Sequence, residues 1–167
     1  MSNIEQTLSI IKPDAVERNL TENIKSFFEK KKLKITKSKK VKISKEEAEE
    51  FYKVHQTKPF YDKLCSYLSS GPIVVMILEG DNAILKNREL MGATDPLKAE
   101  PGTLRKLYGI SIDKNSVHGS DSSANAKIEI DFFLVNSYLN IDPKLPIFLK
   151  DLFSLLFLCV LLAILDM

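Results

Sequence analysis

Cysteine is scarce in this chain. Cys65 and Cys159 stand far apart, with neither metal-ligand spacing nor a dense disulfide framework around them. That pair is compatible with a reducing interior. A strong charge of one sign is missing as well: a formal charge of +2 is too small to point to nucleic acid or to a strongly acidic partner. The first residues, Met1 to Gln6, have neither a basic start nor an apolar run, so no signal peptide is expected, and a cytoplasmic location is. Gly-x-x-x-x-Gly-Lys-Ser/Thr occurs nowhere, and no glycine-rich loop is followed by His-Arg-Asp. Any phosphoryl chemistry must therefore hold its phosphates without a P-loop or a protein-kinase loop.

What remains is ordinary in size and patterned in detail. A chain of 167 residues with 44% hydrophobic content fits one domain with a normal core. Thr7 to Ile11 is a β-branched apolar run ended by Lys12-Pro13, which predicts a buried strand. Thr21 is placed to cap a helix through about Lys31, with Ile24, Phe27 and Phe28 on its apolar face. Leu33, Ile35, Val41 and Ile43 share one parity, with lysines between them, and predict a strand with one wet face. The lysines from Lys30 to Lys42 alternate with apolar residues, so they read as a solvated face and not as a nucleic-acid patch. Ser44-Lys45-Glu46-Glu47 is a capping box that opens a helix carrying Ala48, Phe51 and Tyr52.

Lys58-Pro59-Phe60 starts a further helix that ends near Gly71. Ile73 to Leu78 suits a strand covered on both faces, and Asp81 is placed to cap a helix through about Leu90. The segment from Gly92 to Asn115 reads as irregular, and loops of that length inside compact domains are usually functional. Val117-His118 predicts a short last strand, and Ser122 to about Phe133 a last helix. Strands and helices in this order fit an antiparallel sheet with helices packed over it.

The chemistry gathers at Asn115-Ser116-Val117-His118-Gly119-Ser120-Asp121-Ser122. Glycine beside the imidazole admits close approach of a ligand and unusual dihedrals. Ser120, Asp121 or Ser122 can cap the following helix, whose start favours an anion. A nucleophilic nitrogen next to such a helix start suggests phosphate chemistry, although a lone histidine has many structural uses. The second histidine, His55, reads as structural. The arginines are Arg18, Arg88 and Arg105, in a chain that otherwise uses lysine. Arg88 precedes the irregular segment and Arg105 lies within it. They are equally at home on a surface or as guanidinium forks for phosphate oxygens.

The histidine stretch resembles the active-site signature of the nucleoside diphosphate kinase family. Four more segments match that family in the same order: Thr7 to Ala15, Ser70-Gly71-Pro72, Asn82 to Thr94, and Pro101 to Arg105. The likeness runs from about Ile4 to about Phe133. It implies an α+β, ferredoxin-like βαββαβ fold, and a domain covering residues 1–140. It implies transfer of the terminal phosphate of a nucleoside triphosphate, mainly ATP, to a nucleoside diphosphate. The route is ping-pong catalysis through a phosphohistidine at His118. By the same likeness Lys12, Arg88, Thr94, Arg105 and Asn115 contact the nucleotide's phosphates and Phe60 stacks on the base. By residue type alone Phe60 reads as a core residue beside Tyr61 and Leu64 in preference to a stacking one. Glu129 orients the second imidazole nitrogen, with Tyr52 and Ser120 close by. Magnesium is expected on the nucleotide phosphates and not in a protein cage. A homo-oligomer, tetramer or hexamer, is also implied, and no nucleic-acid partner is expected.

Two departures stand out. Lys106-Leu107 replaces a small residue and an acidic one that usually follow the arginine, which bears on the stability of that loop. Family chains usually stop soon after the last helix, whereas this one continues into an apolar run, Leu152 to Leu165, shorter than the roughly 20 residues that span a bilayer. Residues 141–167 are thus an extension of unknown role. A membrane anchor, an interface helix and a frame-shifted tail are the open readings.

Overall fold

Two apolar runs of the sequence lie side by side. In the computed structural model, which describes residues 4–138, β1 (Ile4–Ile11) pairs antiparallel with β3 (Ile73–Asp81) along its whole length, with Leu8 opposite Ile77. Residues 73–78 are buried throughout, as a strand covered on both faces requires. β2 (Lys34–Val41) forms one edge and β4 (Val117–Gly119) the other. Among the described residues the sheet order is β2-β3-β1-β4, each neighbouring pair antiparallel. With the helices given below this is the expected ferredoxin-like arrangement.

Several local expectations need correction. The single parity assigned to Leu33, Ile35, Val41 and Ile43 breaks at a register shift between Ile35 and Lys37. One extra residue in β2 turns Val41 to the opposite face from Ile35, as a bulge does. Lys12-Pro13 ends β1 but also opens a helix, α1 (Pro13–Glu17), because proline suits the first helical position. α2 (Thr21–Lys30) has Leu20 at its N-cap, so Thr21 lies within the first turn and caps nothing.

α3 (Lys45–Phe51) carries the expected capping box: Glu47 N donates to Ser44 Oγ at 3.1 Å and Ser44 N to Glu47 Oε2 at 2.8 Å. A 3-10 turn (Lys53–His55) leads to α4 (Tyr61–Leu68), with Phe60 at its N-cap. α5 (Ala83–Met91) starts at Asn82, held at φ 48°, while Asp81 ends β3. The segment read as irregular contains α6 (Leu104–Tyr108). α7 spans Ser123–Tyr138, and its start is capped by Ser122 Oγ, which accepts from Asn125 N at 3.2 Å.

The core fills the space between the sheet and the helices, with Ile24 and Phe28 of α2 against Leu33, Met76 and Leu78, and Met91 and Leu104 beside Val117. Full burial of each large side chain contributes roughly 1.5–3 kcal/mol. Residues up to 130 form one compact unit. The described part of the second is the remainder of α7, where the Phe132 and Phe133 rings meet edge to face at 5.0 Å. Among the described residues no helix is long and apolar enough to cross a membrane. The apolar run 152–165, and the division placed at residue 140, lie outside the described residues.

Candidate active site

β4 is only three residues long, yet side-chain bonds at His118 and just past the strand tie it to β1. Ser9 Oγ donates to the His118 carbonyl at 3.1 Å, and Leu8 N donates to Ser120 Oγ at 3.3 Å. The His118 side chain is 19% exposed, with the Phe51 and Tyr52 rings edge-on at 5.4 and 5.8 Å. Its Nε2 lies 3.2 Å from both Glu129 oxygens, and the same carboxylate accepts the Ser120 hydroxyl at 2.6 Å. A carboxylate only accepts, so neutral imidazole carries its proton on Nε2 and leaves the Nδ1 lone pair free.

The glycine after this histidine serves packing. A Cβ at Gly119 would collide with Asn87 Nδ2 and Met91 of α5. The close neighbour is thus a helix, where a ligand had been expected.

A second group converges from three places in the chain. Lys12, 6% exposed, follows β1, the strand next to the edge strand that carries His118. Its Nζ donates to Asn115 Oδ1 at 2.7 Å. Asn115 Nδ2 in turn donates to the Thr94 and Ile112 carbonyls at 3.1 and 2.9 Å. Thr94 itself is exposed. Arg105 on α6 donates to the Gly92 carbonyl at 2.8 Å and the Val117 carbonyl at 3.2 Å, while its buried Nε has no partner among the described residues.

The electrostatics mark these cations as neighbours. Burial first, and the Arg105 charge second, lower Lys12 to about 8, against an upward pull from Asp14 and Asp113. Burial and then Arg88 lower Arg105 to about 10. Arg88, exposed on α5, completes a set of like charges that an anion would relieve. Perturbed groups of this kind mark functional sites. Burial, then the Glu129 charge, pushes the Tyr52 phenol far above its ordinary range. Tyr52 therefore stays neutral beside the imidazole.

Phe60 is 49% exposed, which overturns the core reading of that residue. His55 lies between Phe60 and Tyr52, 6.1 Å from each ring, so an aromatic series leads from the open surface to His118.

A family model described as nucleoside diphosphate kinase matches residues 5–138. The chain belongs to the nucleoside diphosphate kinase family. It is 55% identical over 130 residues to a nucleoside diphosphate kinase of Persephonella marina, covering 78% of this chain and 93% of that one. To that of Wolinella succinogenes it is also 55% identical, over 82% of this chain and all of the relative. Among solved structures, the Aquifex aeolicus nucleoside diphosphate kinase superposes with a TM-score of 0.76 at 39% identity, covering 78% of this chain and 94% of that one. The apo enzyme of Encephalitozoon cuniculi gives 0.75 at 36% identity, over 86% and 93%. Its function is that of a nucleoside diphosphate kinase, a phosphotransferase.

Within this kinase the Lys106 departure has a local compensation: its Nζ donates to the Leu97 carbonyl at 3.2 Å and the Pro96 carbonyl at 3.4 Å, tying α6 to the preceding loop. Sequence reasoning missed Asp14, Tyr67 and Ser116, which hydrogen-bond beneath Lys12 and Asn115. The lone signal was Arg18, one of three arginines and the only one without an assigned task.

Proposed function

We propose that His118 carries the phosphoryl group, through Nδ1. The Nδ1 lone pair attacks the γ-phosphorus of a nucleoside triphosphate, the bond to the β-phosphate oxygen breaks, and the diphosphate leaves with that electron pair. An acceptor diphosphate enters the same site. Its terminal oxygen attacks phosphorus, the P–N bond breaks and the imidazole is regenerated. The Nε2 proton stays towards Glu129 throughout, with Ser120 steadying the carboxylate.

Lys12, Arg88 and Arg105 neutralise the phosphoryl oxygens, aided by Asn115 and Thr94, so catalysis is chiefly positioning and charge stabilisation. Phe60 stacks on the base, and an exposed ring face accepts any base. The donor is the magnesium complex of the triphosphate, with the metal entering and leaving as part of the substrate.

The observation that carries this reading is the contact between Nε2 and Glu129, which leaves Nδ1 with no hydrogen bond among the described residues. A regulatory module that keeps the fold without turnover would be expected to lack the histidine or a cation, and this chain lacks neither. Incubation with radiolabelled ATP decides between them. Acid-labile, base-stable label is expected on the wild type and not on His118→Ala; acid-stable label, or label retained by the variant, overturns the reading.

The same reading makes the protein a cytoplasmic homo-oligomer with no nucleic-acid partner. Leu97, Leu107 and Ile110, exposed large apolar residues of one segment, support assembly, since such surface seeks cover. The division into a catalytic domain of residues 1–140 and an extension of residues 141–167 is part of the proposal, and membrane fractionation against a chain ending at Asn140 tests the anchor.

A further inference from the structure

Arg18 plays no part in the reaction just described, yet it is the best-connected arginine among the described residues. It lies at the C-cap of α1. Its Nε donates to the Asp14 carbonyl at 2.9 Å. Its Nη2 lies 2.8 Å from Asp14 Oδ2, 2.7 Å from the Tyr108 carbonyl and 3.1 Å from Ser116 Oγ. Asp14 is buried and also accepts the Tyr67 hydroxyl at 2.5 Å and the Ser116 hydroxyl at 3.0 Å.

Ser116 is where these contacts converge. It is fully buried and sits at φ +69°, a left-handed conformation that a residue with a Cβ adopts only when its surroundings impose it. Its carbonyl accepts the Lys12 N–H at 2.9 Å. In sequence it separates Asn115, which holds the Lys12 ammonium, from the strand that carries His118. One residue at positive φ thus holds the Lys12 backbone and joins Asn115 to the strand of the nucleophile.

We propose that Arg18 and Asp14 form a clamp on Ser116 that sets the spacing between the Lys12–Asn115 pair and His118. Arg18 is a positioning residue that touches no substrate. The proposal rests on the phosphohistidine reading above. A guanidinium is required because Nε and Nη2 of one planar fork hold the Asp14 carbonyl and the Asp14 carboxylate at the same time, whereas a single ammonium on a flexible stem does not. A simple staple would affect stability alone. The clamp acts on where the Lys12 charge is held, so its loss should loosen the Lys12–Asn115 contact and let water reach the ammonium.

The test compares Arg18→Ala, Arg18→Lys and Ser116→Gly in the full chain, with KM for ATP, kcat, the pH profile of kcat/KM and His118 labelling as readouts. Arg18→Ala should raise KM for ATP by roughly 10-fold, the scale of losing charge-assisted contacts. The alkaline limb of its profile should move upward as Lys12 returns towards an ordinary lysine. Added guanidinium ion should reverse both changes, and Arg18→Lys should not escape them. Ser116→Gly tolerates the positive φ and guards against a variant that fails to fold; it should shift KM and the alkaline limb in the same directions. Wild-type KM and an unmoved limb in Arg18→Ala, or in Ser116→Gly if the former does not fold, overturn the clamp even where stability drops. Absence of His118 labelling in the wild type would overturn the catalytic reading and the clamp with it.

Discussion

His118 Nε2 lies 3.2 Å from each oxygen of Glu129, so a single carboxylate fixes both the tilt of the imidazole and the nitrogen that bears its proton. Glu129→Gln keeps the shape and removes the charge that steadies the ring as it becomes cationic. A hydrogen bond to a charged group contributes about 1.5–3 kcal/mol, so His118 phosphorylation should slow roughly 10- to 100-fold. Single-turnover labelling with ATP measures this directly. A variant as fast as the wild type would remove Glu129 from the mechanism.

The pH dependence follows from Lys12. In the unfolded chain it keeps its proton up to the ordinary 10.5, whereas in the folded protein it releases the proton near 8. Between those values the unfolded state binds more protons, so this group's contribution to stability rises with pH across the window; below about 8 the buried charge is a standing penalty. Nucleotide binding goes the other way, because phosphate favours the protonated lysine. Affinity should fall as pH climbs past about 8, and binding near that pH should take up a proton. Calorimetry in two buffers of different ionisation enthalpy reads the uptake, and Lys12→Met should abolish it.

Phe60→Ala should weaken binding of purine and pyrimidine nucleotides alike. Stacking on an aromatic ring contributes about 1–3 kcal/mol per base. Because the ring is half exposed, thermal stability should hardly change. A loss confined to one base class would mean that hydrogen bonds, not stacking, govern this contact.

Ser44→Ala removes the hydroxyl of the capping box at the end of α3 remote from Tyr52. It should cost about 1 kcal/mol and leave turnover near the wild-type rate. Denaturant unfolding and a steady-state assay together check it, and a large fall in turnover would show that the helix reports to the site.

The elements that could be read from sequence were those with a local cause. Residues 73–78 form one unbroken apolar run, and Ser44 with Glu47 make a reciprocal cap within four residues. Where two local rules competed, the sequence misled: Pro13 both stops a strand and starts a helix, and Thr21 looks like a cap although Leu20 occupies that position. The bulge in β2 leaves no mark in the lysine alternation. The cations and the histidine were legible through family likeness, since nothing in spacing connects Lys12 with Asn115. The contacts of Asp14 and Arg18 with Ser116 join residues about a hundred positions apart, and no periodicity reports such a meeting.

Gly119 has one more implication. Asn87, wholly buried with both polar side-chain atoms unpartnered among the described residues, rests against bare backbone there. The next residue along that helix is Arg88. α5 is therefore seated a bare peptide's thickness from the nucleophile's strand, and even a methyl group at position 119 would act as a wedge between them. The seat of the helix that carries Arg88 depends on an atom that position 119 does not possess.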